Sequence, residues 1–201
     1  DAATEGTVTA SITTTETVDE LKTLTGTHAY TIVIAAGDAE SSTADDLNTI
    51  NGKTSVAIDA SAVTALASDN ISNIKTLLTA GNDTAQFTAA SFGSLTGVTV
   101  SDTTLDVSDF VGAVDQANTA TADTSVVFTI TAADTINGGT EANFTDLLAD
   151  EGNNQVSITN QNLTVDSGTI SVDNANFLDA ATEGTVTASI DTDETVDELK
   201  T

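Results

Sequence analysis

Apolar positions along the chain recur in two rhythms. In five segments the spacing is three or four residues, behind a helix-start signal. Thr17-Val-Asp-Glu20 has the form of a capping box, and Val18, Leu21 and Leu24 fall on one face behind it. Thr43-Ala-Asp-Asp46 introduces Leu47 and Ile50, and Asn51-Gly52 ends that helix. Residues 68–81 offer Ile71, Ile74, Leu77 and Leu78; residues 105–117 offer Val107, Phe110, Val111 and Val114; residues 140–152 offer Phe144, Leu147 and Leu148. Such short helices are marginal alone, so packing must hold them. The second rhythm is β-branched. It predicts strands over 29–35, 55–60, 85–89, 125–130 and 155–159, with two more, 98–101 and 185–190, after shorter turns. Residues 161–172 alternate Leu163, Val165, Ile170 and Val172 around Asp166-Ser-Gly168 and read as a local hairpin, while Asn137-Gly138-Gly139 reads as a turn.

A longer pattern overlies both. Residues 179–201 repeat residues 1–23 with 21 of 23 positions identical; only Thr13/Asp191 and Thr15/Asp193 differ. Residues 1–178 therefore read as one full repeat unit, and 179–201 as the start of the next. With no Met, the chain reads as an internal stretch of a longer polypeptide. Within the unit a small apolar turn or helix, a glycine and a strand recur, as in 47–58, 92–100 and 177–190. Strands alternating with helical crossings imply parallel pairing, because parallel neighbours need a crossover. The expectation is a β-rich repeat solenoid of about six or seven coils, leucine-rich-repeat-like or β-helix-like. The alternative is tandem immunoglobulin-like β-sandwich domains. Val8, Ile12, Val18, Leu21, Leu24, Ile32 and Ile34 are the expected repeat-to-repeat core.

Charge narrows the choice of partners. Thirty-one acidic residues face four lysines, a net charge of −27. Nucleic acid is an unsuitable partner, since binding it needs clustered cations. No apolar run reaches the 18 or so residues of a membrane span. Acidity of this size keeps long chains soluble and apart, and it suits divalent cations. The 40 threonines and the few aromatics suit a thin β-rich core. Cysteine is absent, so no disulfide framework is available.

Little in the chain points to catalysis. His28 and Tyr30 are the only residues of their kinds, and no nucleophile–base–orienter set can be picked out. The expectation is no enzyme. Calcium is the one cofactor to consider, because hard cations collect carboxylate oxygens. Asp102, Asp106 and Asp109 are the candidate ligands, with Asp166, Asp173 and Asn174 a looser set. The acidic run 191–198 loses two carboxylates in its first copy, which suits a solvated helix start better than a site every repeat needs. Asn70, Asn82, Asn143 and Asn162 head glycosylation-type triplets, which arise readily by chance in a chain rich in Asn and Thr.

The acidic, Thr-rich, Cys-free text, with phrases such as Asp46-Leu-Asn-Thr-Ile-Asn-Gly-Lys-Thr54 and Val8-Thr-Ala-Ser-Ile12, resembles the giant repetitive cell-surface or secreted proteins of marine cyanobacteria and related Gram-negative bacteria, of swimming-motility or adhesin type. The resemblance covers the whole chain but carries no catalytic or metal motif. It implies an extracellular or cell-surface structural protein forming a filament, stalk or surface coat. The alternative it implies is a calcium-dependent adhesin or surface-layer lattice protein. The implied partners are neighbouring repeats or other copies of the chain, with divalent cations or surface glycans as further candidates.

Overall fold

The structure, a computed structural model, describes residues 6–12, 15–39, 41–122 and 125–191. Among them, nine short strands and seven helices run in the order β1 (Thr9–Ser11), α1 (Val18–Lys22), β2 (Ala29–Thr31), α2 (Ala36–Ala39), α3 (Ala44–Asn51), β3 (Ala65–Asp69), α4 (Ile71–Gly81), β4 (Gly97–Val100), β5 (Thr104–Asp106), α5 (Val107–Thr121), β6 (Val127–Ile130), β7 (Thr135–Thr140), α6 (Glu141–Gly152), β8 (Asn162–Ser167), α7 (Val172–Ala181) and β9 (Val186–Thr187).

The strands form three separate parallel sheets: β1-β2, β3-β4-β6 and β5-β7-β8-β9. Helices α1, α3, α4, α5, α6 and α7 lie in a row, each packed on the next. This mixed α/β arrangement overturns the expected β-rich solenoid, whether leucine-rich-repeat-like or β-helix-like. The described helices hold more residues than the strands, and no continuous sheet runs through the molecule. Tandem immunoglobulin-like sandwiches are overturned too, since every strand pair is parallel and a sandwich is antiparallel.

The physical reason is local. Helix caps sit directly at strand ends and cut the strands short. β3 stops at Asp69, and the Asn70 side chain then accepts from Asn73 N to start α4. β5 stops at Asp106, whose carboxylate accepts from Ser108 N and Asp109 N to start α5. Such caps satisfy N–H groups that a helix start leaves open, so the helix begins at once. The expected strands 55–60 and 85–89 survive only as isolated bridges, Ile58 to Phe87 and Val33 to Asp59. Residues 161–172 form no hairpin: β8 pairs in parallel with β7 and β9, and Ser171 caps α7.

The core lies between the helix row and the strands. Ile32, Ile34, Leu47, Ile50, Ile58, Leu66, Ile74 and five phenylalanines are buried. Phe110 and Phe128 meet edge to face at 5.5 Å, and the rings of Phe87 and Phe92 lie tilted to each other at 5.2 Å. Among the expected core residues Val18, Leu21, Ile32 and Ile34 are buried, while Val8, Ile12 and Leu24 are partly buried against the same cluster. No described helix is long and apolar enough to cross a membrane.

Candidate functional site

The three candidate calcium ligands turn to different partners. Asp102 Oδ2 accepts from Ile71 N at 2.7 Å, at the start of α4. Asp106 caps α5 and also accepts from the Ser108 hydroxyl at 2.6 Å. Asp109 receives Lys75 Nζ at 2.8 Å. In the looser set, Asp166 accepts from Gly138 N and Asn174 donates to Glu141 Oε1. Among the described residues no group of three or more His, Asp or Glu side chains is placed to hold a metal ion.

The other singled-out residues are taken up in structural hydrogen bonds and ring contacts. His28 Nδ1 accepts from Val8 N at 3.3 Å, and its ring stands edge-on to Tyr30 at 5.5 Å. Of the glycosylation-type asparagines, Asn70, Asn82 and Asn162 use their amide nitrogens on Asp69, Gln116 and Asp134. Asn143 Oδ1 accepts from Thr140 N at 3.0 Å. A cavity of about 390 Å³ lies beside β6, next to the Phe128 N–H to Gln155 O bond; Val127, Phe128, Val156 and Gln161 line it, and no ionisable side chain does.

Polar side chains instead link each helix to the next. The fifth residue of one helix reaches the third residue of its successor at three consecutive steps. Lys22 of α1 meets Asp46 of α3 at 2.6 Å. Asn48 of α3 donates to the carbonyl of Asn73 in α4 at 3.0 Å. Lys75 of α4 meets Asp109 of α5 at 2.8 Å, crossing Gly112, where a Cβ would come within 3.1 Å of Lys75 Cε and Nζ. At Asp46 burial alone would raise the carboxyl pKa, but Lys22 and the Thr43 N–H and hydroxyl outweigh it and hold the pKa low. At the far ends of the helices a second ladder joins amides: Asn51 to Gln86, Asn82 to Gln116, and Asn118 to Gln155. Such amide pairs satisfy partly buried groups on both sides at once.

The duplicated segment is the most informative place in the molecule, because it is seen twice in different surroundings. In the first copy it pairs forward, with β2. Val8 O accepts from Ala29 N at 2.9 Å, and Ile12 N donates to Thr31 O at 3.0 Å. In the second copy it pairs backward, with β8 and Ile170. Thr185 O accepts from Leu163 N, Ser189 O from Ile170 N, and Asp191 N donates to Ile170 O, at 2.9 to 3.0 Å. Thr185, Ser189 and Asp191 correspond to positions 7, 11 and 13 of the first copy. Positions 8 and 12 thus serve the following segment, and 7, 11 and 13 the preceding one. The two sets do not overlap, because successive residues of a strand point their backbone groups to opposite sides. The backward fit is also shaped by side chains. Thr182 Oγ1 donates to Gln161 O at 2.6 Å, and a Cβ at Gly184 would meet that carbonyl at 2.3 Å.

A second opening lies at the first copy. Ser11, Ile12, Leu21, Thr23 and Leu24, with Glu16 and Glu20 among the lining, surround a cavity of about 450 Å³ beside α1.

The duplication itself is legible in the sequence. The helix-to-helix ladders are not among the sequence expectations, although the equal distance of Lys22, Asn48 and Lys75 from their helix caps is a usable signal. Comparison with known proteins gives no match: no family model, curated protein or solved structure is significantly similar to this chain.

Proposed function

We propose that this chain is a stretch of an extracellular structural repeat protein, forming a filament, stalk or surface coat without catalysis. One observation carries the reading. The duplicated segment pairs forward in one copy and backward in the other, through backbone groups that do not compete. A single copy of it can therefore hold both neighbours, so one repeat passes into the next with its strand paired on both edges. A strand with no open edge cannot recruit stray chains. The charge of −27 adds mutual repulsion between neighbouring filaments.

The mechanical role follows from how load is carried. Within the unit, consecutive helices are joined by amide pairs and Lys–Asp pairs as well as by the chain, and the duplicated segment adds N–H···O bonds to its neighbours. Tension on the chain must then break several bonds together. The calcium-dependent adhesin reading draws no support from Asp102, Asp106 and Asp109, whose carboxylates already hold Ile71 N, the start of α5 and Lys75. The partners proposed are neighbouring repeats of the same polypeptide. Antibody raised against the 201-residue chain should label intact cells that make the full polypeptide, and mild surface proteolysis should release the labelled material as fibres or sheets. Labelling only after the cells are opened would overturn the proposal.

A further inference from the structure

The two copies of the duplicated segment leave opposite edges open. In the first copy, among the described residues, nothing bonds to Thr7 O or Ser11 O, which face away from β2. In the second copy, among the described residues, nothing bonds to Val186 O or Ile190 N, which face away from β8. These last two are the counterparts of Val8 O and Ile12 N, which in the first copy hold Ala29 N at 2.9 Å and Thr31 O at 3.0 Å. Residues 7–12 and 185–190 both read Thr-Val-Thr-Ala-Ser-Ile. The chain therefore carries two strands that fit β2. One is seated on it, and the other presents the same edge unpaired.

We infer that separate chains join head to tail by strand exchange: residues 185–190 of one chain pair with β2 of a second copy and take the place of that copy's own residues 7–12. The backbone bonds on β2 are exchanged like for like, which makes swapping an identical element a low-cost route to association. The strand to be displaced is weakly held. β1 has three residues, Thr9 and Ser11 are exposed, and it is paired on one edge only. Val8, Ala10 and Ile12 are only partly buried against the core. The incoming strand is held extended by β8 and by the bridge from Ile190 to Ile170 in its own chain, so little ordering remains when it meets β2. Residues 29–31 and 185–190 carry no charged side chain, so the acidity of the rest of the chain opposes the approach only at a distance, where salt screens it. Once seated, the strand is bonded on both edges.

This inference rests on the structural-array reading, in which one copy serves both neighbours, and disulfide trapping separates the two. The chain has no cysteine of its own. Ser11 and Thr31 are aligned partners and both exposed, and adjacent strands lie about 4.8 Å apart, within reach of a disulfide. Ser189 is the counterpart of Ser11. The full chain with Ser189→Cys and the full chain with Thr31→Cys are mixed and mildly oxidised at about 0.15 M salt. Ser11→Cys with Thr31→Cys in one chain sets the yield of the correctly paired link. A two-repeat polypeptide, residues 1–178 followed by 1–201, with the same two changes in its second unit reads the junction inside one chain. The expected result is a mixed disulfide dimer in excess of what either variant forms alone, and its loss when Ala188→Pro is added to the Ser189→Cys chain. Alternate residues of a strand share a side, so Ala188 N–H points outward with Ile190 N–H, while the bonds to β8 and Ile170 use residues 185, 189 and 191. Proline there removes a donor that only the exchange uses. An absent mixed dimer, or one that Ala188→Pro leaves undiminished, beside an internal link in the two-repeat polypeptide, would overturn the inference and leave the array reading standing. Absence of both links would overturn both.

Discussion

Single residues in this molecule are tuned more by their neighbours than by their type. Asp150, near the end of α6, is half-buried, and burial, with Asp115 and Asp146 nearby, pushes its carboxyl pKa from 3.8 up to about 7. The sign of the consequence follows from linkage. Between about pH 4 and pH 7 the folded chain holds a proton that the unfolded chain lacks, so this group adds stability on acidification and loses it as pH rises through 7. Asp150→Asn should therefore be more stable than the wild type at pH 8 and no more stable below about pH 4, measured by urea melts at the two pH values. Gly138 and Gly139 show the same dependence on surroundings. Asn137-Gly138-Gly139 reads as a turn in isolation, yet it lies inside β7. Gly138 has φ +80°, and a Cβ there would strike the Asp106 carboxylate; a Cβ at Gly139 would strike Val107. The glycines let β7 approach the start of α5, a constraint set by residues some thirty positions away and so invisible in a local reading.

Elements with self-contained start signals were legible in the chain. Thr17 and Thr43 open α1 and α3 as expected, because a capping box needs only residues within one turn. Thr43 Oγ1 accepts from Asp46 N at 3.1 Å, and Asp46 returns the bond to Thr43 N. Thr43→Ala should cost about 0.5–2 kcal/mol in chemical denaturation, whereas Thr43→Ser, which keeps the hydroxyl, should cost less. Helix α7 was missed. Residues 175–180 read as a short turn, since Ser171-x-x-Asn174 lacks an acidic third residue and the helix leans on Glu141 of α6 instead, which accepts from Ser171 N and the Asn174 amide. The false hairpin at 161–172 has a related cause. Alternation correctly marked β8 as a strand, but its partners β7 and β9 are supplied by distant residues.

At the scale of the whole molecule, parallel pairing and crossover helices were legible, and the architecture was not. Alternation of strand and helix signals foretold parallel neighbours. It could not foretell that caps at Asn70, Asp106 and Thr140 would break the strands into three small sheets and give the helices the larger share. The candidate site was legible in its most important part, the duplicated segment, but its two-sided pairing needed coordinates. The central claim is that this segment joins consecutive repeats into one cooperative body. The direct measurement is equilibrium unfolding of the 201-residue chain and of the two-repeat polypeptide in urea, comparing m-values. Because m scales with the surface exposed in one cooperative step, a single transition with an m-value about twice that of the shorter chain is predicted. An unchanged m-value and midpoint, as for two beads unfolding independently, would contradict the account.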